Sequence, residues 1–341
     1  MPALILNGHT LHVTRKSERL EIMHRINDHS DEQKETTYVP LVDIDRIVII
    51  GQPSVSIPAL TAVMDRGIPC YFVTHNGRWR GALSSDKNLN GARRIHQYKQ
   101  SANPDFNLSI SRALIHAKIL NGKRVIQRLA TNRNKTGQDE YEQTMKMLGH
   151  YANSTQRTKT IQTTRGLEGI AAALYLENLK QYFPITLPFT KRTRRPPLDP
   201  ANAILSFGYT VLMSEVEGAI RAHGLDAAIG CLHTNRSHAP ALALDLMEPF
   251  RPAIDLLILN LVNHNMIKAD DHFQKGNDNG IYLNESGRHA FFSEYEKTFT
   301  RPYQHPKRKC QTNLRQGIDE HVCAYIRTLE QNINPTFFQL I

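Results

Sequence analysis

The spacing of apolar residues changes character once along this chain, at the polar, turn-rich stretch Ser84-Ser85-Asp86-Lys87-Asn88-Leu89-Asn90-Gly91. Before that stretch the apolar runs are short and bounded by turn residues. Ala3–Leu6 and Thr10–Val13 flank Asn7-Gly8-His9, and Cys70–Val73 and Trp79–Leu83 flank His75-Asn76-Gly77, so each pair predicts a hairpin. Leu20–Met23, Thr37–Val39 and Arg46–Ile50 predict further strands, and Ile57–Arg66, with Leu60 and Met64 four apart, predicts one helix. Beyond the stretch, Asn107–Leu129 carries Leu108, Ile115, Ile119 and Ile126 on one helical face. More helices are predicted near Glu140–Tyr151, Thr158–Gln181, Asn202–Ala222, Ala253–His264 and Gly317–Gln331. Two periods in two blocks imply an α+β fold: a small, mainly β domain over 1–87 and a larger helical domain over 88–341. A length of 341 residues accommodates both.

Charge narrows the partners. Lys plus Arg number 42 against 32 Asp plus Glu, a net +10 that suits a polyanion such as nucleic acid. The four cysteines, Cys70, Cys231, Cys310 and Cys323, form no CxxC pair, which argues against a disulfide framework or thiolate zinc site and points to a reducing cytoplasm. The longest apolar stretch, Leu256 to Val262, is interrupted by Asn260 and preceded by Asp255, so no membrane span is expected. No GxxxxGK[ST] loop, GxSxG elbow or GxGxxG fingerprint is present, so neither ATP nor NAD is implied.

A few residues could carry chemistry. Glu168 lies in Gly166-Leu167-Glu168-Gly169-Ile170-Ala171-Ala172-Ala173-Leu174-Tyr175, where Ala171, Ala172 and Tyr175 share its helical face. A carboxylate there needs a cation: a bound metal, or an arginine such as Arg165. His233 follows in Ile229-Gly230-Cys231-Leu232-His233-Thr234, and His238 lies at a spacing that matches no common zinc helix. Asp245 and Glu248, three apart ahead of Pro249, fit either two catalytic carboxylates or an N-cap with its capping-box partner. Two carboxylates and one imidazole form an oxygen-rich set that suits Mg2+ or Mn2+.

Together these segments resemble the first CRISPR-associated protein family, the spacer integrase. The resemblance is carried by Glu168-Gly169 on an alanine-rich helix, Gly230-Cys231-Leu232-His233, and Leu244-Asp245-Leu246-Met247-Glu248-Pro249-Phe250-Arg251-Pro252. Similar too are Arg194-Arg195-Pro196-Pro197, Asp199-Pro200, Asn202, Leu205-Ser206-Phe207-Gly208-Tyr209 and, less specifically, Val42-Asp43-Ile44-Asp45-Arg46-Ile47-Val48-Ile49-Ile50-Gly51. The resemblance implies a homodimeric DNA endonuclease and integrase with one divalent ion held by Glu168, His233 and Glu248, where some members carry Asp at the third position. It places Asp245 in support of that site. It further implies a small dimeric partner from the second CRISPR-associated family, bridging two integrase dimers. The reaction expected is transesterification, the 3′-hydroxyls of a short protospacer duplex attacking phosphodiesters of the CRISPR repeat array. Hydrolytic nicking is the same chemistry with water. The basic connector residues Lys191, Arg192, Arg194 and Arg195, with Arg165 one turn before Glu168, are the expected grips on DNA phosphates. A basic DNA-binding scaffold without catalysis and a zinc hydrolase using His233 and His238 are the rival readings.

Overall fold

The computed structural model describes residues 3–8, 10–25, 34–74, 79–83, 90–233, 240–305, 309–331 and 333–340. Its first part holds β1 (Ala3–Asn7), β2 (Leu11–Lys16), β3 (Arg19–Arg25), β4 (Lys34–Pro40), β5 (Arg46–Ile50), β6 (Ser54–Val55), α1 (Ile57–Asp65), β7 (Cys70–Val73) and β8 (Trp79–Leu83). Then follow α2 (Gly91–Ser101), α3 (Pro104–Asn132), α4 (Asp139–Thr155), α5 (Ile161–Lys180), α6 (Pro200–Ala222), α7 (Ala241–Leu246) and α8 (Arg251–Asn263). The last part adds β9 (Phe273–Lys275), β10 (Ile281–Leu283), α9 (Glu285–Thr300), β11 (Tyr303–Gln304), β12 (Gln311–Thr312) and α10 (Leu314–Gln331). The expected α+β class is the observed one: strands first, helices after.

β1 to β8 form two four-stranded sheets, ordered β1-β5-β7-β8 and β4-β3-β2-β6, while β9 pairs with β10 and β11 with β12. The expected β7–β8 hairpin forms, with Cys70 opposite Leu83 and Tyr71 opposite Ala82, although His75-Asn76-Gly77 lies outside the described residues. The expected β1–β2 hairpin does not form. β1 runs parallel to β5 in one sheet, while β2 pairs with β3 in the other. Gly8, at φ 122°, lies in the segment that passes the chain between sheets, and His9 lies outside the described residues. A turn signal specifies a local reversal, not the strand that will be paired. The apolar run Ala3–Leu6 of β1 gains more beside β5, which is buried at all five positions.

Burial of β5 on both faces shows how the strands meet the helices. Ile47 and Ile49 join a core with Leu6, Val13, Leu20, Ala62 and Val63, between the sheets and α1. Val48 and Ile50, with Tyr71 and Val73, belong instead to the large core built by the helices. The change of secondary structure near residue 87 is therefore not a break in packing. Arg46 spans the same junction, 2.5 Å from Glu215 and 3.0 Å from Glu296, while Arg315 lies 2.8 Å from each. Burying these charges is tolerable because each finds two opposite partners.

Sequence chemistry sets the helix starts. Asn103 accepts from the Asp105 and Phe106 amides ahead of Pro104, and Thr160 and Thr163 cap α5 reciprocally. Asp199 caps α6 through the Asn202 amide at 2.8 Å. By length and hydropathy α6 could cross a membrane, but 72% of its apolar window is buried inside the protein. α3, α5, α8 and the 3-10 turn Glu248–Phe250 pack around one cavity.

Candidate metal centre

α5 presents Glu168, Ala171, Ala172 and Tyr175 to this cavity, the helical spacing expected of one face. The cavity is about 300 Å³ and is also lined by Lys118, Arg165, Arg192, Arg194, His233, Glu248, Arg251 and Asp255. Small residues allow close packing here. A Cβ on Gly122 of α3 would meet the Tyr175 ring at 3.1 Å, so α3 and α5 approach with only a glycine between. Glu168 is not buried as its apolar neighbours suggested; its side chain is 29% exposed on the cavity wall.

The partner of Glu168 is Lys118, not Arg165. Lys118 Nζ lies 2.5 Å from Glu168 Oε1 and 2.6 Å from Glu248 Oε2. Arg165 donates instead to the carbonyl of Leu232. The other Glu248 oxygen accepts from Arg251 Nε at 2.8 Å. Burial alone would raise the Glu248 carboxyl, but Arg251 and Lys118 overcome it and lower its pKa to about 2. Glu248 is thus a fixed, ionised carboxylate. Arg251 is itself held with its guanidinium 4.8 Å from the Tyr209 ring centre, and Tyr209 donates its hydroxyl to Asp255. Tyr175 donates to the second Asp255 oxygen at 2.8 Å. Burial pushes the Asp255 carboxyl up to about 6 despite these two donors.

His233 is positioned by Asp245, and here the capping expectation fails. Asp245 lies inside α7, fully buried, rather than at a helix start, and Glu248 makes no capping contact. Its carboxylate accepts the backbone amides of Cys231 at 2.5 Å, Leu232 at 2.9 Å and His233 at 2.8 Å. It also meets His233 Nδ1 at 2.6 Å. Four donors on one carboxylate fix the loop and the ring together. The hydrogen bond assigns the proton to Nδ1, which leaves the Nε2 lone pair free to bind an electrophile.

The residues fit a hard divalent cation by this chemistry. Two ionised carboxylates from separate elements already meet at one cationic nitrogen, and an oriented imidazole lines the same cavity. The three proposed ligands do not form a closed set here, because the Lys118 ammonium fills the gap between the carboxylates. Among the described residues, the group whose ligand atoms all lie within 4.8 Å of one another is His223, Asp319 and Cys323, away from this cavity. His238, the second residue of the zinc alternative, lies outside the described residues.

The basic connector divides by role. Arg192 is turned inward, donating to Thr193 O, Asn202 Oδ1 at 2.8 Å and Ser206 Oγ at 3.0 Å. Asn202 also ties down the Lys191 carbonyl and the Thr193 amide, so it clasps the connector onto α6. Lys191, Arg194 and Arg195 remain exposed, with Arg194 on the cavity rim. The sequence assigns no site role to Lys118, Arg251, Tyr209 or Asp255, although Arg251 and Tyr209 lie in the segments that carry the family resemblance. The available signal was Lys118 set between Ile115 and Gly122, a cation on an otherwise apolar helical stripe.

Residues 4–297 match the family described as CRISPR associated protein Cas1. A CRISPR-associated endonuclease Cas1 from Thermodesulfovibrio yellowstonii is 30% identical over 260 residues, 76% of this chain and 81% of the relative. Among solved structures, a casposase bound to integration product has a TM-score of 0.84 at 22% identity, over 99% of this chain and 93% of that one. A chain of a Cas6-RT-Cas1–Cas2 complex has a TM-score of 0.78 at 23% identity, over 99% of this chain and 36% of that one. The structural likenesses carry the fold, and the family match extends over most of the sequence: the chain belongs to the CRISPR-associated Cas1 family.

Proposed function

We propose that this chain is a divalent-metal-dependent DNA endonuclease and integrase that inserts new spacers into a CRISPR array in the prokaryotic cytoplasm. The carrying observation is the convergence of Glu168 and Glu248 on one cation in a cavity lined by His233 and rimmed by arginines. Glu168, His233 and Glu248 would hold one Mg2+ or Mn2+. Such an ion, when bound, polarises a phosphoryl oxygen and lowers the pKa of an attacking hydroxyl. Asp245 orients His233, and Arg251 holds Glu248 ionised. Arg194 and Arg195, with Lys191, would hold the phosphodiester backbone, and their exposure supports this role. The endonuclease name of the relative and the integration product held by the casposase support this reading.

The partners belong to the same proposal: protospacer duplex, repeat DNA, a second copy of this chain, and a small dimeric Cas2-type protein bridging two dimers. The Cas1–Cas2 complex among the structural neighbours supports the last. Strand β4 is exposed along almost its whole length and offers an edge for pairing between copies. The test is integration of a short duplex with free 3′-hydroxyls into a supercoiled plasmid carrying an array, with and without the bridging protein. Covalent joining with Mg2+ or Mn2+ and none with EDTA is expected. Binding without joining under every metal condition would identify a scaffold instead.

A further inference from the structure

The ammonium of Lys118 occupies the place where a bridging cation would sit. It approaches Glu168 Oε1 at 2.5 Å and Glu248 Oε2 at 2.6 Å, and its side chain is only 18% exposed. Lys118 comes from α3, Glu168 from α5 and Glu248 from the 3-10 turn before α8, so three separate elements meet at one nitrogen. With Arg251 on the second Glu248 oxygen, the cluster of two carboxylates and two cations is electrically balanced without any metal. A divalent ion that binds both of these oxygens cannot share the gap with an ammonium, since like charges at contact distance repel strongly in a partly dry site.

We propose that Lys118 is a resident counter-cation, which holds the two carboxylates together before metal arrives and must withdraw as metal enters. The inference rests on the metal-site reading above. It gives the site two charge-balanced states and makes Lys118 a positioning residue whose flexible four-carbon stem allows the exchange. It also gives the buried Glu248 carboxylate a partner before metal arrives, where an unpartnered carboxylate would be costly. No bond is made or broken in the exchange; one cation replaces another.

Two opposed effects follow for Lys118→Met, which keeps the bulk of the stem and removes the charge. Without metal the variant should melt at lower temperature than wild type, because Glu168 and Glu248 lose their shared cation. Its affinity for Mn2+ should nevertheless rise by about tenfold or more, because the competitor is gone. A merely structural lysine would give the first effect without the second. Lys118→Arg is the companion variant, which keeps the charge and guards against poor folding of the methionine form. Its guanidinium fork bridges two carboxylates more firmly, so Mn2+ should bind more weakly than to wild type.

The measurement is Mn2+ binding to the full chain without DNA, by calorimetry and by loss of the free-ion electron paramagnetic resonance signal, with melting curves alongside. Tighter binding to Lys118→Met and weaker binding to Lys118→Arg is the expected pair. Equal or weaker Mn2+ affinity in Lys118→Met overturns the inference while leaving the metal site standing. If Lys118→Met does not fold, equal or tighter binding by Lys118→Arg overturns it. Absence of saturable Mn2+ binding to wild type overturns the metal-site reading, and this inference with it.

Discussion

The carboxylate of Asp245 touches Nδ1 of His233 at 2.6 Å while accepting three consecutive backbone amides from Cys231 to His233. One buried side chain therefore sets both the path of the loop and the tautomer of the ring.

Asp245→Asn should accordingly be damaging, although it preserves shape. The new amide group would face a donor where the carboxylate accepted one. Loss of a buried charged acceptor with four donors should cost about 2–4 kcal/mol. Integration should fall about as far as in His233→Ala. Denaturant melts and plasmid nicking check this; wild-type stability with near-normal nicking contradicts it.

The Asp255 carboxyl, at about 6 in the fold, predicts a pH dependence of opposite sign to the usual acid loss. Its pKa lies above the ordinary aspartate value of 3.8, so the folded state binds the proton more readily than the unfolded one. Asp255 therefore costs stability above pH 6, and that cost is relieved as pH falls through this window. Asp255→Asn should be more stable than wild type at neutral pH, by on the order of 1–3 kcal/mol, with the gap closing toward pH 4. Melting temperatures of the two proteins across pH 4–8 test the sign. A gap that widens on acidification refutes the assignment.

The connector cations should separate in a salt titration. Neutralising Lys191, Arg194 and Arg195 together should lower the slope of log K against log salt by about 2–3, whatever the duplex sequence. Arg192→Ala should instead lower the melting temperature, since its guanidinium holds the connector to Asn202 and Ser206. An unchanged slope in the triple variant shows that the exposed cations do not touch DNA.

The β4 edge predicts how copies associate. Thr36→Pro removes an outward-facing donor near the middle of the strand and should shift the molecule toward monomer in light scattering while the helical content remains. A dimer that survives this change pairs elsewhere.

Much of the fold was legible because α3, α6 and α8 repeat their apolar residues at helical spacing. α9 was not among the predicted helices, although Phe291, Phe292, Tyr295 and Phe299, its buried face, follow helical spacing. The mistaken β1–β2 hairpin had a sound local signal; its outcome was set by β5, far along the chain. At the site, Glu168 stands out as a carboxylate on an apolar helical face, while His233 and Glu248 join it only through the combined set and the family resemblance. Lys118 does not stand out, because a lysine in a helix reads as surface until the opposing carboxylates are in view. The cap alternative for Asp245 fails because its partners are amides of a preceding loop, which no spacing within its own helix reveals.

The central claim is that Glu168, His233 and Glu248 hold one divalent ion. Anomalous diffraction from crystals grown with Mn2+ tests it without reference to activity. A single strong manganese peak is expected in the cavity between α3 and α5, bound by both glutamates and by His233 Nε2, with the Lys118 ammonium moved out of the gap. A protein that leaves this cavity empty of manganese, or gathers the ion at His223, Asp319 and Cys323 instead, contradicts it.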